Sequence, residues 1–229
     1  MISEKTVELN LTTEFMNWMW KVHGTTYTAI APSQRQEARL GFDVSIRASG
    51  YAFFIQYKRA HRNGTVYSYQ LNRTSAKDQH RKLCDLERTG VPVFYALPLF
   101  ATVGEVMGYR RQLLIHTLWL RPSAIPIPGG GIGHHDVHYD EFTRRYWVTS
   151  KQEIPFNPKE SGLEVFDKVL EYQGIIDNFL ESQIAFNKIF LGSKDGANVD
   201  DIKDIKIDLE DLGGIALMTN ATIDLAAHL

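Results

Sequence analysis

The sequence predicts an α/β fold followed by a helical C-terminal appendage, and three observations carry that expectation. Residues 43 to 58 alternate apolar and polar side chains about a Ser49-Gly50 pair and read as a β-hairpin. A helix at about 75 to 89, closed by Gly90, runs into the apolar strand Val91-Pro92-Val93-Phe94-Tyr95-Ala96-Leu97. Beyond Pro155 and Pro158, Leu163, Phe166, Val169, Leu170, Ile176, Phe179 and Leu180 recur at helical spacing. With 229 residues the chain can bury a sizeable core. We divide it into residues 1–150, the α/β core, and residues 151–229, an acidic helical region and tail.

The first element is a helix through Leu11 to Trp20, with Thr12 or Thr13 as N-cap. The hairpin follows, and pairing Ala48 with Tyr51 sets its register. Val44 then faces Ile55 and Ile46 faces Phe53 on one apolar side, while Asp43 meets Gln56 on the other. That second face carries Asp43, Ser45, Arg47, Gln56 and Lys58, with Ala52 and Phe54 among them. After the strand at 91–97, residues 101–111 read as a helix and Leu113 to Leu120 as a strand. Prolines 122, 126 and 128 and the run Gly129-Gly130-Gly131-Ile132-Gly133 read as a loop with no phosphate-binding Gly-Lys-Ser/Thr ending. His134-His135-Asp136-Val137-His138 is expected to be a polar loop entering a strand at Tyr146-Trp147-Val148-Thr149. Its rival reading is a histidine-based metallohydrolase site, against which the crowding of the ligands and the nearby glycines and prolines count.

The polar end of the hairpin is where chemistry concentrates. Opposed strand residues have Cβ atoms roughly 5 Å apart, so Asp43, Gln56 and Lys58 can share one ion and one substrate group. A carboxylate, a carboxamide and an ammonium so gathered suit a metal-dependent phosphodiesterase.

Gly41-Phe42-Asp43 followed by Phe54-Ile55-Gln56-Tyr57-Lys58-Arg59 resembles the core of the PD-(D/E)XK nuclease superfamily, in the variant where Gln replaces the second acidic residue. The resemblance spans residues of about 11 to 121 and is closest to bacterial nucleases of restriction and anti-phage defence. It implies a restriction-endonuclease-like mixed central sheet flanked by helices. It also implies a Mg²⁺ or Mn²⁺ site at Asp43, Gln56 and the Tyr57 main-chain carbonyl, with Lys58 handling the attacking water. Gln56 offers only a neutral oxygen to a hard cation, so another carboxylate is expected to assist. Glu14, on the helix before the first strand, and Glu37, six residues before Asp43, are both candidates.

The charge distribution favours a polyanionic partner. Residues 31–121 hold 14 Lys/Arg against 6 Asp/Glu, whereas residues 151–229 hold 7 against 15. Arg59, Arg62, Lys77 and Arg81 are the expected nucleic-acid contacts, with DNA the expected substrate and RNA not excluded. The C-terminal helices are candidates for a homodimer seam or a partner-protein contact, and the acidic tail for an arm that docks on the basic half. The lone cysteine, Cys84, rules out an internal disulfide and reads as a packed thiol. With no apolar run near the roughly 20 residues of a membrane span and no secretory leader pattern, the expected location is cytoplasmic.

Overall fold

The computed structural model describes residues 1–23, 27–33, 37, 40–48, 51–74, 77–127, 133–150, 152–159, 161–163 and 166. The compact unit to which they belong runs Met1–Ser182. In chain order its elements are α1 (Glu4–His23), β1 (Thr28–Ile30), β2 (Val44–Ala48), β3 (Tyr51–Tyr57), β4 (His61–Asn63), β5 (Val66–Thr74), β6 (Lys77–Asp78), α2 (Gln79–Glu87), β7 (Val93–Pro98), α3 (Val103–Gly108), β8 (Thr117–Leu120), β9 (Gly133–Asp140), β10 (Arg145–Thr149) and β11 (Glu153–Phe156). The fold is mixed α/β, with two sheets where the sequence predicts one.

The first sheet has the order β1-β2-β3-β7-β8. Only β3 and β7 are parallel, and α2 precedes β7 on the crossover between them. The predicted hairpin register holds: Ala48 lies opposite Tyr51, Ile46 opposite Phe53 and Val44 opposite Ile55. The Asp43 N–H extends the ladder by donating to the Ile55 carbonyl at 3.0 Å. The second sheet, β11-β10-β9-β5-β4 with β6 on β5, is antiparallel throughout.

Alternation along the strands gives the first sheet two different faces. On one, Val44, Ile46, Phe53, Ile55, Tyr57, Phe94 and Ala96 form a core with the α1 stripe Val7, Leu11, Phe15 and Met19. On the other, α2 buries His80, Leu83 and Leu86. His80 stacks on Tyr95 there, with ring centroids 5.9 Å apart. Gln56 shares that face, since it pairs with Tyr95. The residues that bear chemistry therefore lie under α2, and α1 covers the apolar side.

Several elements depart from the sequence expectation. Helix α1 starts at Glu4, and its entry is capped by Ser3, whose Oγ accepts from the Thr6 N–H at 3.0 Å. Thr12 and Thr13 are thus interior; Thr13 Oγ1 donates back to the Leu9 carbonyl. Helix α2 begins at Gln79, because Asp78 caps it by accepting from the Arg81 N–H, and residues 77–78 are strand. The residues from His134 onward, expected as loop, lie in β9. Their alternation turns His135, Val137 and Tyr139 to the side of Leu71, Tyr69 and Tyr67, and Asp136 and His138 to the other. His135 consequently cannot join Asp136 and His138 around one ion. His138 instead stacks on Trp147 at 5.0 Å.

The chain past residue 150 continues the same core. β11 pairs with β10, and Phe166 is fully buried in contact with the rings of Phe15, Trp18, Phe53, Phe94 and Trp119. The remainder of the predicted C-terminal helices and the acidic tail lie outside the described residues. Among the described residues no helix is long and apolar enough to cross a membrane.

Candidate active site

The site forms where β2 begins and β3 ends. Asp43, Gln56 and Lys58 are all buried there, at 8%, 0% and 5% exposure. Gly41 lets the preceding chain approach closely: its φ is +85°, and a Cβ would stand 3.2 Å from Lys82 Cβ on α2. This turn brings Asp43 beside the first residue of α2.

The groups then form a continuous chain of hydrogen bonds. Asp43 Oδ2 accepts from the Tyr57 N–H at 2.7 Å and from Gln56 Nε2 at 2.6 Å. Gln56 Nε2 also donates to the Tyr57 carbonyl at 3.1 Å. Gln79, the first residue of α2, donates from Nε2 to Gln56 Oε1 at 2.7 Å. Its own Oε1 accepts from Lys58 Nζ at 2.9 Å. With Asp43 ionised, donor and acceptor polarity is fixed at both ends, since a carboxylate can only accept and an ammonium can only donate.

Further acids surround this chain. Glu4 Oε1 lies 4.0 Å from Lys58 Nζ. Burial pushes the Asp43 carboxyl up to about 7; Lys58 and the Tyr57 N–H oppose the rise, and the negative charges of Glu4 and Glu37 add to it. Glu37 is likewise raised, first by burial and then by Glu4, with Lys58 opposing. Glu8 acts on Glu37 as well, and it pairs with Lys5. On the apolar side, Tyr57 is anchored by a 2.8 Å hydrogen bond between its hydroxyl and Thr12 Oγ1.

Of the two predicted helper carboxylates, the structure brings Glu37 to the site and takes Glu14 away. Glu14 Oε1 accepts from the Leu114 N–H at 3.3 Å. A helix turns 100° per residue, so Glu8 and Glu14 flank the buried Leu11 on opposite sides. Glu4 and Glu8 occupy the flank that Thr12 continues toward Tyr57. Sequence reasoning missed them because it placed the helix start too late; the Ser3 cap and the spacing 4, 8, 12 were the available signal.

The predicted nucleic-acid contacts differ among themselves. Arg59 is exposed, with Nη2 3.3 Å from His61 Nε2. Arg62 is engaged: it donates to Glu105 at 2.7 Å and to the Gly64 carbonyl, lies 3.9 Å from Glu141, and stacks over Tyr67. Arg81 is exposed on α2, 3.7 Å from Asp85. Lys77 lies in β6, with its backbone paired to Thr74.

The donor set at Asp43 suits a hard cation. It offers one carboxylate and the Tyr57 carbonyl, both already within hydrogen-bonding distance of a single nitrogen, with the Glu4 and Glu37 charges nearby. No group of three or more His, Cys, Asp and Glu that could hold a metal occurs among the described residues. Comparison of the chain with family models, curated proteins and solved structures gave no match.

Proposed function

We propose that this protein is a metal-dependent nuclease of PD-(D/E)XK type that hydrolyses phosphodiester bonds of DNA. The observation that carries the reading is the convergence of the Asp43 carboxylate and the Tyr57 carbonyl on one point beside Lys58. The order of elements agrees with it: a helix, an antiparallel hairpin, then a helix leading to a strand parallel to the hairpin's second strand. This is the order expected of a restriction-endonuclease-like core, and the point of convergence lies at the carboxyl end of β3, where open α/β sheets bind ligands.

Asp43, the Tyr57 carbonyl and Gln56, through its oxygen, would hold Mg²⁺ or Mn²⁺, with Glu4 and Glu37 adding negative charge. The bound ion supplies Lewis-acid polarisation of a phosphoryl oxygen and a more acidic water. Lys58 then orients the attacking water and offsets charge developing on the phosphate. Water adds to phosphorus and the P–O bond to the leaving deoxyribose oxygen breaks. Arg59 and Arg81, both exposed, would meet the phosphate backbone, whereas Arg62 is held by Glu105. A setting in bacterial antiviral defence follows the resemblance alone.

A second reading has its own observation. Gln56 closes the Asp43–Tyr57 gap with its amide nitrogen, which suits a nucleic-acid-binding or partner-binding subunit that does not cut. Incubating the full chain with supercoiled plasmid and short duplexes under Mg²⁺ or Mn²⁺ separates the two. Metal-dependent cleavage that Asp43→Ala abolishes is the expected result, and retained cleavage in that variant would overturn the nuclease reading. Binding without cleavage would favour the second.

A further inference from the structure

The Gln56 amide nitrogen stands between two oxygens that would hold a cation, 2.6 Å from one and 3.1 Å from the other. Its orientation is dictated once Asp43 is ionised. An oxygen in that place would then face the Asp43 carboxylate and the Tyr57 carbonyl together, three acceptors with no proton among them. With the nitrogen inward, Gln56 Oε1 must point at α2, where it meets the Gln79 nitrogen. Gln79 Oε1 is thereby aimed at Lys58.

Ion binding demands the reverse orientation at Gln56, since only the carboxamide oxygen is a ligand. Turning Gln56 presents its NH₂ to α2, and there it would oppose the NH₂ of Gln79, donor against donor. Gln79 must then turn or withdraw, and Lys58 loses the acceptor that now holds it. These side chains are at least partly buried, so the lost bonds are not readily replaced by water.

Resting on the nuclease reading of this site, we infer that Gln79 is a positioning residue: it holds Gln56 in the orientation that excludes an ion and couples that orientation to the placement of Lys58. Gln79 touches no substrate in this scheme and acts only through Gln56 and Lys58. A purely structural glutamine would, on removal, weaken ion binding and turnover alike. Removal of a coupling residue tightens ion binding and leaves turnover at saturating metal as it was.

Gln79→Met keeps the bulk of the side chain and removes both its donor and its acceptor. Relative to the wild type, the variant should bind Mg²⁺ or Mn²⁺ about three- to tenfold more tightly by calorimetry, the worth of one net hydrogen bond. Its kcat on plasmid at saturating metal should stay within about twofold of the wild type, because the bound ion has already released Lys58 from Gln79 there. Gln79→Glu, which can accept from Lys58 but cannot donate to Gln56, should bind the ion at least as tightly and, by keeping Lys58 on its carboxylate, turn over more slowly. In ion-free protein, the side-chain amide resonances of Gln56, identified by their loss in Gln56→Glu, should shift in Gln79→Met. Weaker ion binding by Gln79→Met, or Gln56 resonances that superpose on those of the wild type, would overturn the inference. Should the wild type neither bind the ion nor cut, the nuclease reading falls. The ion-excluding role falls with it, and shifted amide resonances would then show only that Gln79 orients Gln56.

Discussion

Replacing Asp43 by Asn should uncouple the stability of this protein from pH over the neutral range. In the native state the carboxyl lies at about 7, against an ordinary value of 3.8, chiefly because burial penalises the charged form. A group raised in this way contributes stability that is complete below its unfolded pKa and is lost as pH climbs through the folded one. Between those limits the native state binds the extra proton, so stability must fall with rising pH. Linkage puts the loss at about 2.5 kcal/mol between pH 5 and pH 8. Asn preserves the local hydrogen bonds, since one carboxamide oxygen can accept from both the Tyr57 N–H and Gln56 Nε2 as Asp43 Oδ2 does. The assay is urea unfolding of both proteins in chelator-treated buffer at the two pH values. The variant's advantage over the wild type should grow by about 2.5 kcal/mol from the acid to the alkaline condition. A difference equal at both pH values would show that Asp43 ionises without cost. The nuclease reading adds a corollary: Mn²⁺ should restore the wild type at pH 8 and leave the variant unchanged.

Lys58→Ala should lower cleavage by at least about a hundredfold, the usual worth of a positioned proton-handling group, while far-ultraviolet circular dichroism stays unchanged. Glu4→Gln should raise the Mn²⁺ concentration needed for half-maximal cleavage, whereas Glu14→Gln, whose carboxamide oxygen can still accept from the Leu114 N–H, should leave that requirement as it is. Gly41→Ala should destabilise by about 1 kcal/mol or more, from the left-handed backbone and the crowding against Lys82, read as a shift in urea midpoint. Phe166→Ala should cost about 3–5 kcal/mol, because five aromatic rings surround that side chain. A chain ending at residue 150 should fail to fold cooperatively for the same reason.

The hairpin was legible because two independent constraints agreed. A two-residue turn fixes the pairing, and alternation permits only one register that buries Val44, Ile46, Phe53 and Ile55 together. Asp43, Gln56 and Lys58 came along with that register. β5 was equally readable and went unread: Tyr67, Tyr69 and Leu71 are buried at every second position, with Ser68 and Gln70 between them. β9 hid behind its composition, since histidines and aspartates suggest a loop while Val137 and Tyr139 mark the buried side of a strand. The acids at the site were harder to find. Glu4 lies 54 residues before the lysine it approaches, and no local pattern reports that the first turn of α1 comes beside the residue that follows β3. Gln79 was visible as a helical glutamine, but its contacts depend on how α2 packs over Tyr95.

The balance of charge at this site bears on which of the two readings is the stronger. A buried polar network kept only for structure is expected to be neutral and satisfied, because each uncompensated charge taken from water is costly. Here Glu4 and Glu37 both act on Asp43 and Glu4 acts on Glu37, with Lys58 opposing at both acids and Lys5 at Glu37. Burial first, and those charges after it, hold Asp43 near the middle of its titration at neutral pH, which stores instability at the buried polar end of the hairpin. A divalent cation would relieve the surplus, and a neutral partner surface would not. Perturbed acids clustered at the carboxyl end of a parallel strand are what a cation-binding site requires before its ion arrives. The same surplus is what Asp43→Asn removes, so the unfolding experiment tests the electrostatic basis of the proposal without relying on catalysis.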